Sequence, residues 1–192
     1  MSEHAQDFPH VLRDVMEVLG PEYGGMIIGG VAVIALGHSR ATTDIDATLR
    51  IPAQRLAELI ERFAEKGIVP RISNAVEFAE ARHVLLMRHR DSQIDVDVTV
   101  ALLPFEEEAL AHRRSVDFAG VQIAIPRPED LVIYKMVAAR PQDVQDAEAL
   151  LLHYCDQMDL RRVRRIVSEF AEVVERPELV QELERMIAKA VT

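Results

Sequence analysis

The stretch "GGVAVIALGHSRATTDID", residues 29–46, joins a glycine pair to a pair of aspartates through a short apolar segment. The pair Gly29–Gly30 follows the apolar residues 26–28, which predict a short buried strand bounded by glycines. The next residues, "VAVIALGH" (31–38), predict a short helix that ends at Gly37. A strand, a glycine turn and a helix therefore follow one another without a gap.

The aspartates of this stretch open a strand, "DIDATLR" (44–50), in which polar and apolar residues alternate. This period of two is typical of a half-buried strand, and it places Asp44 and Asp46 on one face. A second predicted strand, "QIDVDVTVAL" (93–102), repeats the design and carries on its polar face Gln93, Asp95, Asp97 and Thr99. Because aspartate is depleted in strands, this polar face is a candidate functional site.

Carboxylates that converge on one point need a compensating charge. Two unit charges about 4 Å apart repel by about 4 kcal/mol at an effective dielectric constant of 20, so a cation or a proton must be present. Mg²⁺ prefers oxygen ligands and is typically held by a few carboxylates together with substrate phosphates. One interpretation is therefore a magnesium site beside a glycine loop whose backbone N–H groups bind a phosphate. The other is a solvent-exposed sheet face next to a tight turn.

The composition is that of a globular protein with a sizeable core, since 49% of its 192 residues are hydrophobic. A formal net charge of −10 argues against duplex DNA as a partner, because that affinity comes from phosphate neutralisation. Cys155 is the single cysteine, and the sequence has no zinc-ligand spacing. Its apolar runs are too short to span a bilayer, and its polar start is unlike a signal peptide. We expect a cytoplasmic protein that does not bind membranes.

The rest of the chain alternates helices and strands before it becomes entirely helical. The predicted elements are helices over 7–20, 52–67 and 104–114, a strand over 83–89, and a hairpin over 115–126 that turns at Ala119–Gly120. From residue 127 the pattern is helical, with breaks at Pro141 and near Asp156 and Pro177. These elements predict an α/β (α+β) fold in which a mixed β-sheet is flanked by helices. Residues 1–125 form the predicted core, and residues 126–192 a helical region packed on it.

The helical region holds further charged candidates. Lys135 has apolar neighbours along its helix, so its ammonium either contacts a phosphate or reaches solvent along an apolar surface. Asp143 and Asp146 share one helix face, where they either orient Lys135 or Arg140 or belong to a solvated first turn of the helix. The segment "RRVRR" (161–165) is either a solvated helix face or a contact for RNA or an acidic partner, through Arg161, Arg162, Arg164 and Arg165.

Taken together, residues 29–46 resemble the signature of the polymerase-beta-like nucleotidyltransferase superfamily: a glycine loop, a short helix and an Asp-x-Asp strand, with a third aspartate further on. Arg40, Thr42 and Asp44-Ile45-Asp46 look most like the small bacterial branch that includes the AbiEii-type nucleotidyltransferases of type IV toxin–antitoxin systems. Downstream, "RPEDLVIYKMVAARPQDVQDAEALL" (127–151) is similar to the C-terminal motif of that branch. The resemblance runs from Gly29 to Leu152.

The resemblance implies a metal-dependent nucleotidyltransferase that moves NMP from an NTP to a hydroxyl acceptor, with Mg²⁺ or Mn²⁺ as the cofactor. The acceptor it implies is an RNA end, a protein or a small molecule, and a toxin–antitoxin role would add an antitoxin-like protein partner. The resemblance assigns the roles of metal ligand and catalytic residue to Asp44, Asp46 and Asp97, with Asp95 as the alternative third carboxylate. It gives the nucleotide contacts as Gly29, Gly30, Arg40, Thr42 and Lys135, and Arg40 could equally well pair with one of the aspartates.

Two interpretations compete with this one. The first is a catalytically inactive module that keeps the nucleotidyltransferase fold and acts by binding a nucleotide or a partner. The second is a glycosyltransferase-type Asp-x-Asp that binds a nucleotide sugar through one metal ion. The glycine pair at 29–30 and the second aspartate strand both disfavour the glycosyltransferase.

Overall fold

The structure, a computed structural model, describes residues 3–191, with the backbone alone described for residues 3–6 and 21. The chain divides into two compact units. The first comprises the residues up to Ala35 together with Arg40–Pro126, and the second comprises Leu36–Ser39 together with the residues from Arg127 on. The packing of the helical region on the core stays a prediction.

A five-stranded mixed sheet, with strand order β1-β2-β5-β4-β3, is the frame of the first unit. Its strands are β1 (Met26–Ile27), β2 (Asp44–Leu49), β3 (Ile68–Pro70), β4 (Val84–His89) and β5 (Asp95–Val100). A separate hairpin pairs β6 (Arg114–Phe118) with β7 (Val121–Ile125). The helices of this unit are α1 (Glu3–Tyr23), α2 (Gly29–Ala35), α3 (Leu56–Glu65), α4 (Ala75–Arg82) and α5 (Pro104–Ala111). This architecture confirms the predicted fold class.

The register of the sheet follows from the burial of one face. Strands β2 and β5 are parallel neighbours, whereas the other paired strands of the sheet are antiparallel. Ile45, Ala47, Val96 and Val98 of these two strands are fully buried. A slip of one residue would move these side chains to the polar face and bury the aspartates, so the alternation fixes which face carries the carboxylates.

Several elements differ from the prediction. Helix α1 does not end at Gly20 but continues to Tyr23, because Leu19 and Tyr23 are one turn apart and both buried. That burial outweighs the cost of about 1 kcal/mol for a glycine inside a helix. Helix α3 begins at Leu56 rather than at residue 52, since Ala53–Arg55 form a 3₁₀ turn.

The sequence patterns did not predict two of the elements, and they placed Gln93 in a strand although it lies in a turn. Strand β3 and helix α4 lie in a segment without a clear period, and β3 has only three residues. Gln93, predicted on the polar face of the second aspartate strand, precedes β5 in a turn with a φ of +58°. There its backbone N–H donates to the carbonyl of His89 at 3.0 Å, which closes the turn between β4 and β5.

The second unit is built from helices α6 (Pro128–Ala138), α7 (Pro141–Tyr154), α8 (Leu160–Val173) and α9 (Glu178–Ala190). The breaks between them lie at the predicted positions. Helix α6 packs on α7 and α8, and α9 packs on both of these. The short segment Leu36–Ser39 joins this unit, where the Tyr154 hydroxyl donates to the carbonyl of Leu36 at 2.9 Å. No helix within residues 3–191 combines the length and the apolar character needed to cross a membrane.

Most arginines of the basic cluster on α8 form ion pairs with carboxylates of the helical unit. The Arg162 guanidinium lies 2.6 Å from the carboxylate of Asp130, which is fully buried and also accepts from Arg127 at 2.8 Å. Arg164 pairs with Glu184 of α9 at 2.6 Å, and Arg165 pairs with Glu169 one turn along α8. Three of the four arginines therefore join the helices of this unit or brace α8 itself.

Replacing Arg162 with alanine tests this role of the cluster. We expect Arg162→Ala to lower the free energy of unfolding by about 3 kcal/mol, because it removes one partner of a buried charge pair. The exposed neighbour Arg161 supplies the control, and Arg161→Ala should change the same quantity by less than about 0.5 kcal/mol. Urea unfolding followed by circular dichroism measures both, and equal losses would contradict a structural role for Arg162.

Candidate active site

The polar face of the sheet brings the predicted carboxylates together on two neighbouring strands. Asp44 of β2 is the register partner of Asp95 on β5, and Asp46 is the register partner of Asp97. Neighbouring strands lie about 4.8 Å apart, so the four carboxylates occupy one small area of the face. Asp46, Asp95 and Asp97 are half-buried, whereas Asp44 is exposed.

The glycine pair forms the first two residues of α2 and lies directly against these carboxylates; the turn from β1 into α2, including Gly29 and Gly30, is the glycine loop. Gly29 has a φ of +62°, and a Cβ at this position would overlap the carboxylate of Asp46. A Cβ on Gly30 would lie 2.6 Å from the hydroxyl oxygen of Thr42 and 3.3 Å from the guanidinium carbon of Arg40. Both positions are therefore restricted to glycine by side chains that fill the space above the loop.

The segment before β2 completes this cluster. The Thr42 hydroxyl donates to the Oδ1 atom of Asp44 at 2.9 Å, and the Arg40 Nε–H donates to the carbonyl of Ala41 at 3.1 Å. The backbone N–H of Ile28 donates to the carbonyl of Asp46 at 2.8 Å, which ties the start of the glycine loop to β2. The predicted residues of the segment 29–46 thus form one contiguous group in the first unit.

Two arginines that the sequence patterns did not single out contact the aspartates of β5. The Arg71 guanidinium bridges Asp95, at 2.9 Å, and Asp97. Arg88 of β4 lies opposite Asp95 and donates to it at 2.6 Å. Arg88 is the one charged residue within β4, and it lies on the face opposite the buried Leu85 and Met87. Arg71 follows a strand of only three residues, which leaves no such signal in the sequence.

The two carboxylates of β5 differ in their electrostatic surroundings. The hydrogen bond from Arg88 lowers the pKa of Asp95, and the charge of Arg71 acts in the same direction against burial. Burial raises the pKa of Asp97 and outweighs the opposing attraction of Arg71. The nearby carboxylates add to this increase. The negative charge of Asp97 is therefore less completely compensated than that of Asp95.

The polar face carries oxygen donors of the kind that a hard divalent cation prefers. Among the described residues, no group of three or more His, Cys, Asp or Glu side chains is arranged so that it could hold a metal ion as it stands. The Arg71 guanidinium instead provides the positive charge beside Asp95 and Asp97, and Thr42 is hydrogen-bonded to Asp44. The face offers carboxylate oxygens from two strands in register, which are the ligands that Mg²⁺ and Mn²⁺ prefer.

Lys135, predicted as a nucleotide contact, lies in the helical unit. It is 5% exposed, and its Nζ atom is 3.0 Å from Asp143 and 2.9 Å from Asp146, both buried in α7. Burial alone would raise the pKa of Asp143, but the hydrogen bonds from Arg140 and Lys135 together lower it. The two aspartates orient the lysine, as one of the sequence interpretations proposed, and a contact between Lys135 and phosphate stays a prediction.

Two clefts of the first unit open near the aspartates. One, with a volume of about 310 Å³, is polar and is lined by Val69, Pro70, Arg71, Arg88, Arg90 and Gln93. The other is larger, at about 530 Å³, and its wall includes Arg40 and Thr42 together with the half-buried rings of Phe8 and Phe118. Gln93 lines both clefts, so they adjoin at the turn that precedes β5.

A scan against protein-family models identifies the chain. The model described as nucleotidyltransferase of unknown function (DUF6036) matches residues 11–188. The chain belongs to this family. Membership confirms the predicted nucleotidyltransferase superfamily and enzyme class, while the AbiEii-type branch stays a prediction. A search of curated protein sequences found no match.

Solved structures with the same fold include other nucleotidyltransferases. The solution structure of the antibiotic-resistance factor ANT(2″)-Ia has a TM-score of 0.60 at 15% identity, covering 90% of this chain and 96% of that one. Its crystal structure with adenylyl-2″-tobramycin has a TM-score of 0.58 at 16% identity, over 87% and 98% of the two chains. A putative nucleotidyltransferase from H. pylori gives 0.56 at 15% identity, over 99% and 96%. At these identities the likeness is one of fold.

A glycine-to-alanine pair tests the packing of the loop against Asp46. Gly29→Ala should lower the free energy of unfolding by about 2 kcal/mol more than Gly120→Ala, because both glycines have a positive φ but a Cβ at Gly120 meets open space. We also expect Gly29→Ala alone to weaken Mn²⁺ binding, measured by electron paramagnetic resonance, since it displaces Asp46. Equal effects of the two substitutions would show that the space above Gly29 is not restrictive.

Proposed function

We propose that this protein transfers a nucleoside monophosphate from an NTP to a hydroxyl group of an acceptor. The observation that carries the proposal is the register of Asp46 with Asp97 directly beside Gly29. This arrangement combines a carboxylate face for a divalent cation with a loop whose backbone a triphosphate can approach. Membership of a nucleotidyltransferase family supports the same reaction class.

In the proposed reaction the acceptor oxygen forms a bond to the α-phosphorus, and the bond from that phosphorus to the bridging oxygen breaks. Pyrophosphate leaves with the bonding electron pair, and the hydroxyl proton passes to the carboxylate of Asp97. Mg²⁺ or Mn²⁺, held by Asp44, Asp46 and Asp97, would neutralise phosphate charge and orient the α-phosphate. Gly29, Gly30, Arg40 and Thr42 would contact the triphosphate.

Asp97 is proposed as the third carboxylate, and Asp95 as a residue that positions arginines. Asp95 is already paired with Arg71 and Arg88, so its charge is compensated by the protein itself. Among the side chains that the structure describes, Asp97 pairs with Arg71 alone, and it is in register with Asp46, which lies against the glycine loop. A cation between β2 and β5 would therefore find in Asp97 the more available ligand.

Three finer hypotheses stay predictions. They are the toxin–antitoxin role, with its antitoxin-like partner, the contact of Lys135 with phosphate, and the cytoplasmic location. The inactive module, the alternative drawn from the sequence, binds a nucleotide or a partner but releases no pyrophosphate. The two functions are therefore separated by measuring binding and turnover in the same preparation.

Titration with a fluorescent ATP analogue tests the nucleotide site. The wild-type protein should bind the analogue in a Mg²⁺-dependent manner, and Asp44→Asn should abolish the dependence on Mg²⁺. Asp91→Asn, an exposed carboxylate in the turn after β4, is the matched control and should leave binding unchanged. The enzyme hypothesis is wrong if the wild-type protein shows no Mg²⁺-dependent NTP binding.

Turnover distinguishes the two carboxylates of β5. With radiolabelled NTPs and either total RNA, protein extract or tobramycin as acceptor, the rate of pyrophosphate release should fall about 100-fold or more in Asp97→Asn. Asp95→Asn should lower the rate by about tenfold, since it acts through the arginines that it positions. The reverse order of effects would make Asp95 the third carboxylate. Binding without pyrophosphate release for every acceptor would favour the inactive module.

A further inference from the structure

We infer that the acceptor of the proposed reaction is a hydroxyl compound that carries phosphate, bound in the cleft formed by Arg71, Arg88 and Arg90. This inference rests on the proposed function, because it assigns the second substrate of the same site. The three arginines line one cleft of about 310 Å³ together with Val69, Pro70 and Gln93. We call this group of six residues the arginine cleft.

The order of the strands places the arginine cleft and the glycine loop on opposite sides of the carboxylates. The glycine loop follows β1 and contacts Asp46 on β2. Arg71 follows β3, and Arg88 lies on β4. Since the sheet order is β1-β2-β5-β4-β3, the loop, the two aspartate strands and the arginines succeed one another across the sheet.

The geometry of an in-line displacement determines on which side of the carboxylates the acceptor lies. The attacking oxygen and the leaving pyrophosphate lie on opposite sides of the phosphorus. If the glycine loop holds the pyrophosphate, the acceptor approaches from the side of β4 and β3. The part of the acceptor next to its hydroxyl group therefore meets the arginine cleft.

The cleft has unused hydrogen-bond donors and an excess of positive charge. Its three guanidinium groups are opposed by two carboxylates, those of Asp95 and Asp97. Arg90 is exposed, and within residues 3–191 its side chain makes no ion pair or hydrogen bond. The Nε atom of Arg71 is buried and also lacks a hydrogen-bond partner among the described residues. A cation that binds Asp97 would compete with Arg71 for that carboxylate and release further donors.

This chemistry selects the acceptor by charge. Guanidinium groups bind phosphate oxygens in bidentate geometry, and an arginine-lined cleft repels polyamines. The cleft is a local exception in a chain with 32 acidic and 22 basic residues, so its charge does not follow from the composition. A nucleotide or the 3′ end of a polynucleotide presents a hydroxyl group close to a phosphate, whereas tobramycin, the acceptor named with ANT(2″)-Ia, is a polycation.

Fluorescence anisotropy with a short 5′-fluorescein oligoribonucleotide tests the assignment without requiring turnover. We expect Arg90→Glu to weaken its affinity about tenfold or more, because one charge-assisted hydrogen bond is lost and a repulsive charge is gained. The slope of log affinity against log salt should decrease by about 1. Arg82→Glu, the same charge change on the exposed end of α4, should leave both quantities unchanged.

Further ligands separate the sources of the phosphate and the alternatives. Competition by AMP at concentrations close to those of the oligonucleotide would assign the cleft to a mononucleotide, and weak competition would assign it to a polynucleotide end. Tighter binding of tobramycin than of either phosphate compound would overturn the inference. An equal loss of affinity for the fluorescent ATP analogue in Arg90→Glu would also overturn it, because the cleft would then belong to the NTP.

Failure of this inference is distinguishable from failure of the proposed function. Mg²⁺-dependent ATP binding without oligonucleotide or AMP binding in the cleft would overturn the acceptor assignment alone. Absence of Mg²⁺-dependent ATP binding would overturn the proposed function and, with it, the assignment of the arginine cleft to an acceptor.

Discussion

Repulsion among four aspartates on two adjacent parallel strands is the constraint on which the rest of the first unit depends. Asp44 and Asp46 face Asp95 and Asp97 in register, and two such charges about 4 Å apart repel by about 4 kcal/mol at an effective dielectric constant of 20. The buried apolar residues on the other face prevent the strands from slipping to relieve this repulsion. The compensation comes from the side of the sheet on which β4 and β3 lie, through Arg88 on β4 and Arg71 after β3. Positive charge from this side of the sheet thus compensates the negative charge of the aspartates on the central strand β5.

The helical unit also contains buried charges, and each of those described here is compensated by an ion pair. Lys135 is held by Asp143 and Asp146. Asp130 is held by Arg127, which directly precedes α6, and by Arg162 of α8. The pairs of Lys135 with Asp143 and Asp146 join α6 to α7, and the pair of Asp130 with Arg162 joins α6 to α8, so they oppose sliding of these helices along one another. Since a lone buried charge is much more costly than a pair, the arrangement favours one register of the helices.

The sequence predicted the parts of the site that depend on local periods. Alternation placed Asp44, Asp46, Asp95 and Asp97 on polar faces, and the glycine pair marked the loop beside them. The parallel pairing of β2 with β5 follows from the crossover of the chain and left no local signal. Arg71 was missed because it acts from the end of a three-residue strand, and its contact with Asp97 joins positions 26 residues apart. The partners of Lys135 were among the candidates, but their burial depends on packing within the helical unit.

The absence of a side chain at Gly29 also has a mechanical consequence. The carboxylate of Asp46 occupies the space above the loop, and the N–H of Ile28 is hydrogen-bonded to the carbonyl of the same residue. The glycine loop and β2 are thus in contact through the side chain of Asp46 and are hydrogen-bonded through its backbone. A displacement of the loop would therefore also displace Asp46. We therefore expect the separation between the loop and the carboxylate to vary less than the position of either. A reaction that requires placement to a fraction of an ångström benefits from this common motion.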